Sequence, residues 1–187
     1  DINQLNNFIK ENKNDKILIF GFTFMIWEYF YKRLLEKKIK IDLSNSILIH
    51  GGGWKKLVNE SVSSKVFKNK LNFISGIKNV FDYYGMVEQT GSLYMECEYG
   101  YLHTSIFSDI IIRNPLDFST TNFGEKGIIQ LMSVLPKSYP GHSILTEDEG
   151  IILGEDDCQC GRLGKYFKIV GRLKEAEIRG CSDTYEE

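Results

Sequence analysis

Two short motifs in this sequence contain residue types at spacings that suit nucleotide chemistry. The first is His50-Gly-Gly-Gly-Trp54, where three consecutive glycines let a flat ligand or a phosphate approach the backbone without interference from Cβ atoms. The second begins with Tyr84-Gly85 and places an aromatic ring, a glycine turn and the Glu88 carboxylate close together, which would suit a base and its Mg²⁺. Each motif is equally compatible with a structural role, as a glycine turn or as a packed tyrosine beside a solvated carboxylate.

A different chemistry is suggested by the cysteines. Cys97 and His103 bracket five residues around a predicted hairpin turn, and Cys158 and Cys160 bracket one residue in a glycine-flanked loop. Three thiolates and one imidazole form a closed tetrahedral set, which suits structural zinc. The alternative is a group of free, reduced thiols. The Lys/Glu-rich composition and the lack of a secretory signal favour a cytoplasmic location, where clustered cysteines bind metal more often than they form disulfides.

The elements that must position these motifs differ between the two halves of the chain. In the first half, apolar runs at Lys16–Phe20 and Ser46–His50 predict strands, each followed by a predicted helix, about Phe24–Lys38 and Lys55–Leu71. Strand, helix, strand, helix with short links is typical of an α/β sheet with crossovers. The aromatic cluster around Trp27 could line an acyl pocket, but its helical spacing favours core packing.

The second half has many short strand-like runs and fewer helical patterns. Glu98-Tyr99-Gly100 and Asp148-Glu149-Gly150 carry turn chemistry between these runs. We therefore predict an α/β part at 1–91, which contains the nucleotide motif, and a β-rich part at 92–187. The predicted strands are 80–84, 92–97, 101–106, 109–113, 127–134, 150–153 and 166–170.

Composition excludes several classes of protein. The 187 residues include 23 Lys+Arg and 25 Asp+Glu, a net charge of -2, which argues against a polybasic nucleic-acid binder. No apolar run approaches the roughly 20 residues of a membrane-spanning helix. With 42% hydrophobic residues the chain has ample material for a packed core.

Seven motifs in a fixed order resemble one family, and the resemblance covers nearly the whole chain from about residue 16. They are similar to motifs of the acyl-protein synthetases, the fatty-acid to luciferin-component ligases of bacterial luminescence and their relatives. That family belongs to the adenylate-forming superfamily and is similar to phenylacetate-CoA ligases. The motifs are His50-Gly-Gly-Gly-Trp-Lys-Lys, Tyr84-Gly-Met-Val-Glu-Gln-Thr-Gly, Ser133-Val-Leu-Pro-Lys-Ser-Tyr-Pro-Gly-His, Leu145-Thr-Glu-Asp, Asp157-Cys-Gln-Cys-Gly-Arg, Gly171-Arg and Ile178-Arg-Gly-Cys-Ser-Asp-Thr-Tyr.

The resemblance implies the C-terminal portion of an adenylating core, an α/β sheet unit followed by mostly antiparallel β structure. It also implies a two-step reaction in which a carboxylic acid, by family a fatty acid, reacts with ATP and Mg²⁺ to give an acyl-adenylate, and a thiol then accepts the acyl group. A reductase or an acyl-transferase would be the partner protein. The implied nucleotide residues are Gly51, Gly52, Gly53, Tyr84 and Gly85 around adenine, Asp148 at the ribose hydroxyls, Arg172 near ribose and phosphate, and Glu88 at Mg²⁺.

Two further residues take roles from the resemblance. Lys174 falls at the hinge that precedes the mobile C-terminal domain of the superfamily. Cys181 matches the cysteine that accepts the acyl group in luminescence-type synthetases, and Arg179 and Gly180 beside it would favour an accessible thiolate. An inert, half-buried cysteine is the alternative.

The sequence departs from the superfamily pattern at two points. Val87 stands where a Thr or Ser usually precedes the Mg²⁺-binding Glu, so one phosphate-directed hydroxyl is missing unless Thr90 replaces it. The Ser/Thr/Gly-rich phosphate loop belongs upstream of residue 1. We therefore expect a longer polypeptide, with this part inactive alone. Two other interpretations remain open, a phenylacetate-type acyl-CoA ligase and a non-catalytic nucleotide-binding or zinc-stabilised module.

Overall fold

A computed structural model describes residues 1–137 and 140–173 of the chain. These residues fall into two compact units, of which the first covers Asp1–Asp82 and the second begins at Tyr83. None of the described helices combines the length and the apolar character needed to cross a bilayer.

The first unit is built around two parallel strands, β1 (Ile17–Phe22) and β2 (Ser46–Gly51). They pair in register from Ile17↔Ser46 to Phe22↔Gly51, so both strands end at the same edge. The strand β3 (Asn79–Tyr84) follows β2 in the sheet order. A short helix α1 (Ile2–Glu11) precedes β1, and its N-terminus is capped by the Asp1 side chain.

The predicted aromatic helix after β1 is present, but its middle is not an α-helix. It consists of α2 (Thr23–Met25), a π-helical stretch (Ile26–Lys32) and α3 (Arg33–Glu36). Trp27 and Tyr31 are buried in the π-helical stretch, with ring centroids 4.6 Å apart. Trp27 thus packs in the core as predicted, whereas Phe20 and Tyr29 of the same aromatic cluster are 63% and 61% exposed.

The second predicted helix of this unit is divided in two. A 3-10 helix covers Lys55–Glu60, and the helix α4 begins only at Ser64 and ends at Ser75. Ser63 explains the break, because its backbone is extended and its side chain accepts the Val66 N–H, as an N-cap residue does. Gly76 ends α4 in the left-handed conformation, with φ 73°. Phe67 and Leu71 of α4 are buried in the core of this unit.

The second unit is mostly antiparallel sheet, as predicted. Beginning with the end of β3, its strand order is β3-β4-β5-β9-β8-β7-β6. Phe167, Tyr94, Ile110, Ile129 and Leu131 are fully buried at its centre. The strands are β4 (Tyr94–Glu96), β5 (Leu102–His103), β6 (Ser108–Arg113), β7 (Gly127–Ser133), β8 (Ser143–Glu155) and β9 (Lys165–Arg172).

The strand β8 corrects one expectation from the sequence. The composition of Asp148-Glu149-Gly150 predicts a turn, but the segment lies inside this 13-residue strand, where the register to β9 shifts between Glu149 and Gly150. Gly150 is explained by close packing, because a Cβ there would lie 2.7 Å from Ile129 Cδ1. The continuous strand places Asp148 directly opposite Arg172 of β9.

Candidate functional site

Three of the predicted nucleotide residues meet in the second unit. The Tyr84 hydroxyl, at the end of β3, donates a hydrogen bond of 2.7 Å to Asp148 Oδ2. The other carboxylate oxygen of Asp148 lies 3.3 Å from Arg172 Nε. These residues are 64 and 24 positions apart in the sequence, yet the pairing of β8 with β9 and the position of β3 bring them together.

The surroundings of this cluster keep the Tyr84 phenol protonated. Burial, together with the negative charge of Asp148, raises the pKa of Tyr84 far above its ordinary value, so the phenol keeps its proton and acts as the donor. Arg172 also pairs with Glu147 Oε2 at 2.8 Å. The side chain of Asp148 remains 21% exposed, so its carboxylate is still accessible to a ligand.

The segment that follows Tyr84 is anchored by a buried glutamine. Gln89 is fully buried; it donates from Nε2 to the Gly141 carbonyl at 2.9 Å and accepts from the Tyr94 hydroxyl at 3.2 Å. A Cβ on Gly141 would overlap the Glu88 carbonyl, so this contact requires glycine. The Glu88 side chain, in a 3-10 helix of residues 87–89, is exposed.

The missing hydroxyl at position 87 is not simply replaced by Thr90. The Thr90 hydroxyl donates to the Val87 carbonyl at 2.9 Å, so its proton is used in a local turn. Val87 itself is 67% exposed. The Glu88 carboxylate is exposed, position 87 supplies no hydroxyl and the Thr90 hydroxyl is engaged locally, so the role of Glu88 at Mg²⁺ stays a prediction.

The glycine turn lies in the first unit and is supported by a buried polar pair. Thr23, at the start of α2, donates from Oγ1 to the Gly51 carbonyl at 3.1 Å, and its Oγ1 lies 2.9 Å from His50 Nδ1. A hydroxyl has one proton, so the second contact requires that His50 donates from Nδ1. His50 is 5% exposed, and burial lowers its pKa to about 4, so the ring is neutral.

The turn itself has the backbone that three glycines permit. Gly52 and Gly53 have φ of 79° and 65°, and a Cβ on Gly52 would lie 2.9 Å from the Phe22 ring. Gly53 has open space where its Cβ would be. Lys55 Nζ lies 5.0 Å from the Phe22 ring centroid.

All four predicted zinc ligands come together within the second unit. The ligand atoms of the cluster all lie within 4.8 Å of one another. Cys97 follows β4 and His103 ends β5, so the hairpin between these strands brings one thiol and one imidazole together. Cys158 and Cys160 come from the loop between β8 and β9. Cys160 Sγ lies 3.4 Å from His103 Nε2.

The chemistry of the cluster suits a metal. Cys97, His103 and Cys158 are buried, and the three described cysteines are free thiols. Burial raises the pKa of Cys158 to about 11 and lowers the pKa of His103, so without a cation the sulfur is protonated and the imidazole is neutral. The backbone N–H of Arg162 points to Cys160 Sγ at 3.5 Å, a contact that stabilises a thiolate.

Two predicted residues, Lys174 and Cys181, lie outside the described residues. Conversely, Thr23 and Thr146 support predicted residues although the sequence motifs assign them no role. Thr146 Oγ1 accepts the Asp148 N–H at 3.1 Å and donates to the Ile129 carbonyl at 2.9 Å. The position of Thr146 inside the Leu-Thr-Glu-Asp motif is a signal that could have found it, whereas nothing in the sequence links Thr23 to His50.

The fold is shared with solved adenylate-forming ligases. An open form of 2-hydroxyisobutyryl-CoA ligase, in complex with 2-HIB-AMP and CoA, has a TM-score of 0.69 and 17% identity over 92% of this chain and 39% of that chain. ATP-bound MatB from Rhodopseudomonas palustris has a TM-score of 0.56 and 15% identity over 92% and 33% of the two chains. A long-chain-fatty-acid-CoA ligase from Archaeoglobus fulgidus has a TM-score of 0.58 and 12% identity over 92% and 37%.

At these identities the likeness establishes the fold, and it confirms the predicted α/β class. The chain spans between 33% and 39% of the length of these three proteins. No curated protein matches the sequence. The family model of LuxE, acyl-protein synthetase, matches residues 1–187, and the chain therefore belongs to the acyl-protein synthetase family, as its motifs indicated.

Proposed function

We propose that this chain is part of an ATP-dependent ligase that activates a carboxylic acid as an acyl-adenylate. The observation that carries the proposal is the contact of Tyr84, Asp148 and Arg172, three residues that the family resemblance assigns to one nucleotide. Membership of the acyl-protein synthetase family supports it, as does the shared fold with a ligase bound to an acyl-AMP.

In the first step the carboxylate oxygen of the acid attacks the α-phosphorus of ATP, and pyrophosphate leaves. This step requires neutralisation of phosphate charge more than proton transfer. Asp148 accepts the ribose hydroxyls, Arg172 lies near ribose and phosphate, and Glu88 holds Mg²⁺. Tyr84 and Gly85 flank adenine, and in the first unit Gly51, Gly52 and Gly53 take the adenine role that the resemblance gives them.

In the second step a thiolate attacks the acyl carbonyl carbon of the adenylate, a thioester forms and AMP leaves. We propose Cys181 as the acceptor and Lys174 as the hinge residue, both by family resemblance. A hydrophobic, fatty acid is the proposed substrate, on the same ground. A reductase or acyl-transferase that consumes the thioester would be the partner, in the reducing cytoplasm where free thiols persist.

The proposal is tested by exchange of labelled pyrophosphate into ATP, with the natural polypeptide that contains these residues. We expect exchange that depends on an added fatty acid and that falls strongly in Asp148→Ala. Background exchange across a series of fatty and aryl acids would overturn the proposal and favour a non-catalytic module. If AMP release depends on coenzyme A and Cys181→Ser has no effect, the phenylacetate-type CoA ligase is the better assignment.

We also propose that Cys97, His103, Cys158 and Cys160 bind a structural zinc ion. Four converging ligand atoms of the right chemical types support this, and the ligands come from two separate loops of the antiparallel sheet. A zinc ion there would join the β4–β5 hairpin to the loop between β8 and β9. The strand pairing between β5 and β9 consists of two residue pairs, Leu102↔Phe167 and His103↔Tyr166.

Zinc analysis of the purified protein tests this second proposal. We expect near-stoichiometric zinc in the natural protein and loss of it in Cys158→Ser. Cys181→Ser is the matched control, because Cys181 is the fourth cysteine of the chain and the proposal gives it no part in binding zinc. Protein that folds and contains no zinc after growth with the metal would contradict the proposal.

A further inference from the structure

The Asp148 carboxylate is held from several sides before any nucleotide is considered. Its Oδ2 accepts the Tyr84 hydroxyl at 2.7 Å, and its Oδ1 faces Arg172 Nε at 3.3 Å. Its backbone N–H is bonded to Thr146 Oγ1 at 3.1 Å. Each carboxylate oxygen can accept two hydrogen bonds, so both oxygens keep a position for a ligand hydroxyl.

Among the side chains that contact Asp148, Tyr84 is the one whose ring packs against the buried core of the second unit. The Tyr84 ring packs near Tyr94 and Phe167, at centroid distances of 6.2 and 6.4 Å, and both of those residues are fully buried. Arg172, in contrast, is 43% exposed and is shared between Asp148 and Glu147. A short hydrogen bond from a ring packed against the core sets the orientation of the carboxylate more firmly than a half-exposed guanidinium can.

We propose that Tyr84 is a positioning residue whose hydroxyl orients the Asp148 carboxylate toward the two ribose hydroxyls of the nucleotide. This inference rests on the proposed function and adds to the role of Tyr84 beside adenine. The carboxylate is the group that touches the ribose, and Tyr84 acts through it. Recognition of the ribose then depends on the Tyr84 hydroxyl, although this hydroxyl does not contact the ribose. Recognition of the base and the phosphates does not depend on it.

The test compares binding of AMP and of 2′,3′-dideoxy-AMP by the natural polypeptide that contains these residues, measured by calorimetric titration. Tyr84→Phe removes the hydroxyl and keeps the ring contacts. We expect the preference of the unmodified protein for AMP over the dideoxy compound to fall about tenfold in this variant, as expected for loss of a hydrogen bond to a charged group. Tyr99→Phe, a change of the same kind at an exposed tyrosine, is the control and should leave the preference unchanged.

The comparison separates positioning from a structural role. If Tyr84 only supports the fold, Tyr84→Phe weakens AMP and dideoxy-AMP equally, and the inference is overturned. It is also overturned if the variant keeps the full preference. With Asp148→Ala as background, the Tyr84 change should have no additional effect on the preference, because the acceptor that Tyr84 orients is gone. If the unmodified protein binds AMP and dideoxy-AMP equally, the proposed function fails together with this inference. If the unmodified protein prefers AMP and only the effect of Tyr84→Phe is missing, the inference fails and the proposed function stands.

Discussion

Acidification should destabilise the first unit through His50. This side chain is 5% exposed, and burial is the main reason that its pKa falls from 6.5 to about 4, with Lys68 lowering it further. Asp82 Oδ1 lies 3.8 Å from His50 Nδ1, but the Asp82 side chain is half exposed and the pKa of His50 still falls. The folded state therefore resists protonation that the unfolded chain accepts.

The sign and size of the effect follow from proton linkage. Above pH 6.5 both states hold a neutral imidazole and the full stability is present; as the pH falls from 6.5 towards 4 the unfolded state binds the proton first, and stability is lost. At about pH 5 the loss from a shift of this size is roughly 2 kcal/mol, and below both pKa values it reaches roughly 3 kcal/mol.

Urea unfolding followed by tryptophan fluorescence reports this loss of stability for the first unit of the structure. Both tryptophans of the chain, Trp27 and Trp54, lie in the first unit, with ring centroids 5.1 Å apart. His50→Asn is the comparison variant, because its amide nitrogen can still donate to Thr23 but does not titrate. Between about pH 7 and pH 5 the natural protein should lose roughly 2 kcal/mol more than the variant. Equal losses in the two proteins would refute the assignment of His50 as a buried, neutral group.

Two substitutions test the packing that supports the site. Gly150→Ala places a Cβ 2.7 Å from Ile129 Cδ1 and should lower the free energy of unfolding by about 1–3 kcal/mol. In the control variant Gly171→Ala, on β9, the new Cβ meets its nearest atom at 3.6 Å, so the loss should be much smaller. Similar losses for the two variants in chemical denaturation would be evidence against the bulged register of β8. Thr23→Val removes the hydroxyl between His50 and the Gly51 carbonyl and should lower the free energy of unfolding by about 1–3 kcal/mol in the same assay. Thr23→Ser keeps a hydroxyl and should retain most of the stability. If Thr23→Val leaves the stability unchanged, the hydrogen bonds of Thr23 to His50 and Gly51 are not needed for the fold.

The sequence was most informative where a local pattern and a local structure coincide. The alternation of strands and helices predicted β1, β2 and a sheet with crossovers, and the spacing Cys97-x5-His103 predicted a hairpin turn between two ligands. The class of fold followed from these patterns. The residues of the cysteine cluster could be grouped from their types, because three thiols and one imidazole on two loops form a donor set that suits zinc.

Local patterns failed where a distant contact decides the structure. Asp148-Glu149-Gly150 has the composition of a turn, but pairing with β7 and β9 on both sides keeps it extended, and Gly150 is needed for the approach of Ile129. The hydrogen bond between Tyr84 and Asp148 joins residues 64 positions apart, so no spacing rule predicts it. The π-helical stretch at Ile26–Lys32 likewise has no local signal beyond its aromatic residues.

The central claim is that the polypeptide carrying these residues makes an acyl-adenylate, and mass spectrometry of its products tests this most directly. Incubation with ATP, Mg²⁺ and a fatty acid should give the acyl-AMP mass together with pyrophosphate, and Asp148→Ala should lower its formation more than Glu147→Ala, a neighbouring carboxylate that is 60% exposed. Release of ADP and phosphate, or no product that depends on the acid, would contradict the account.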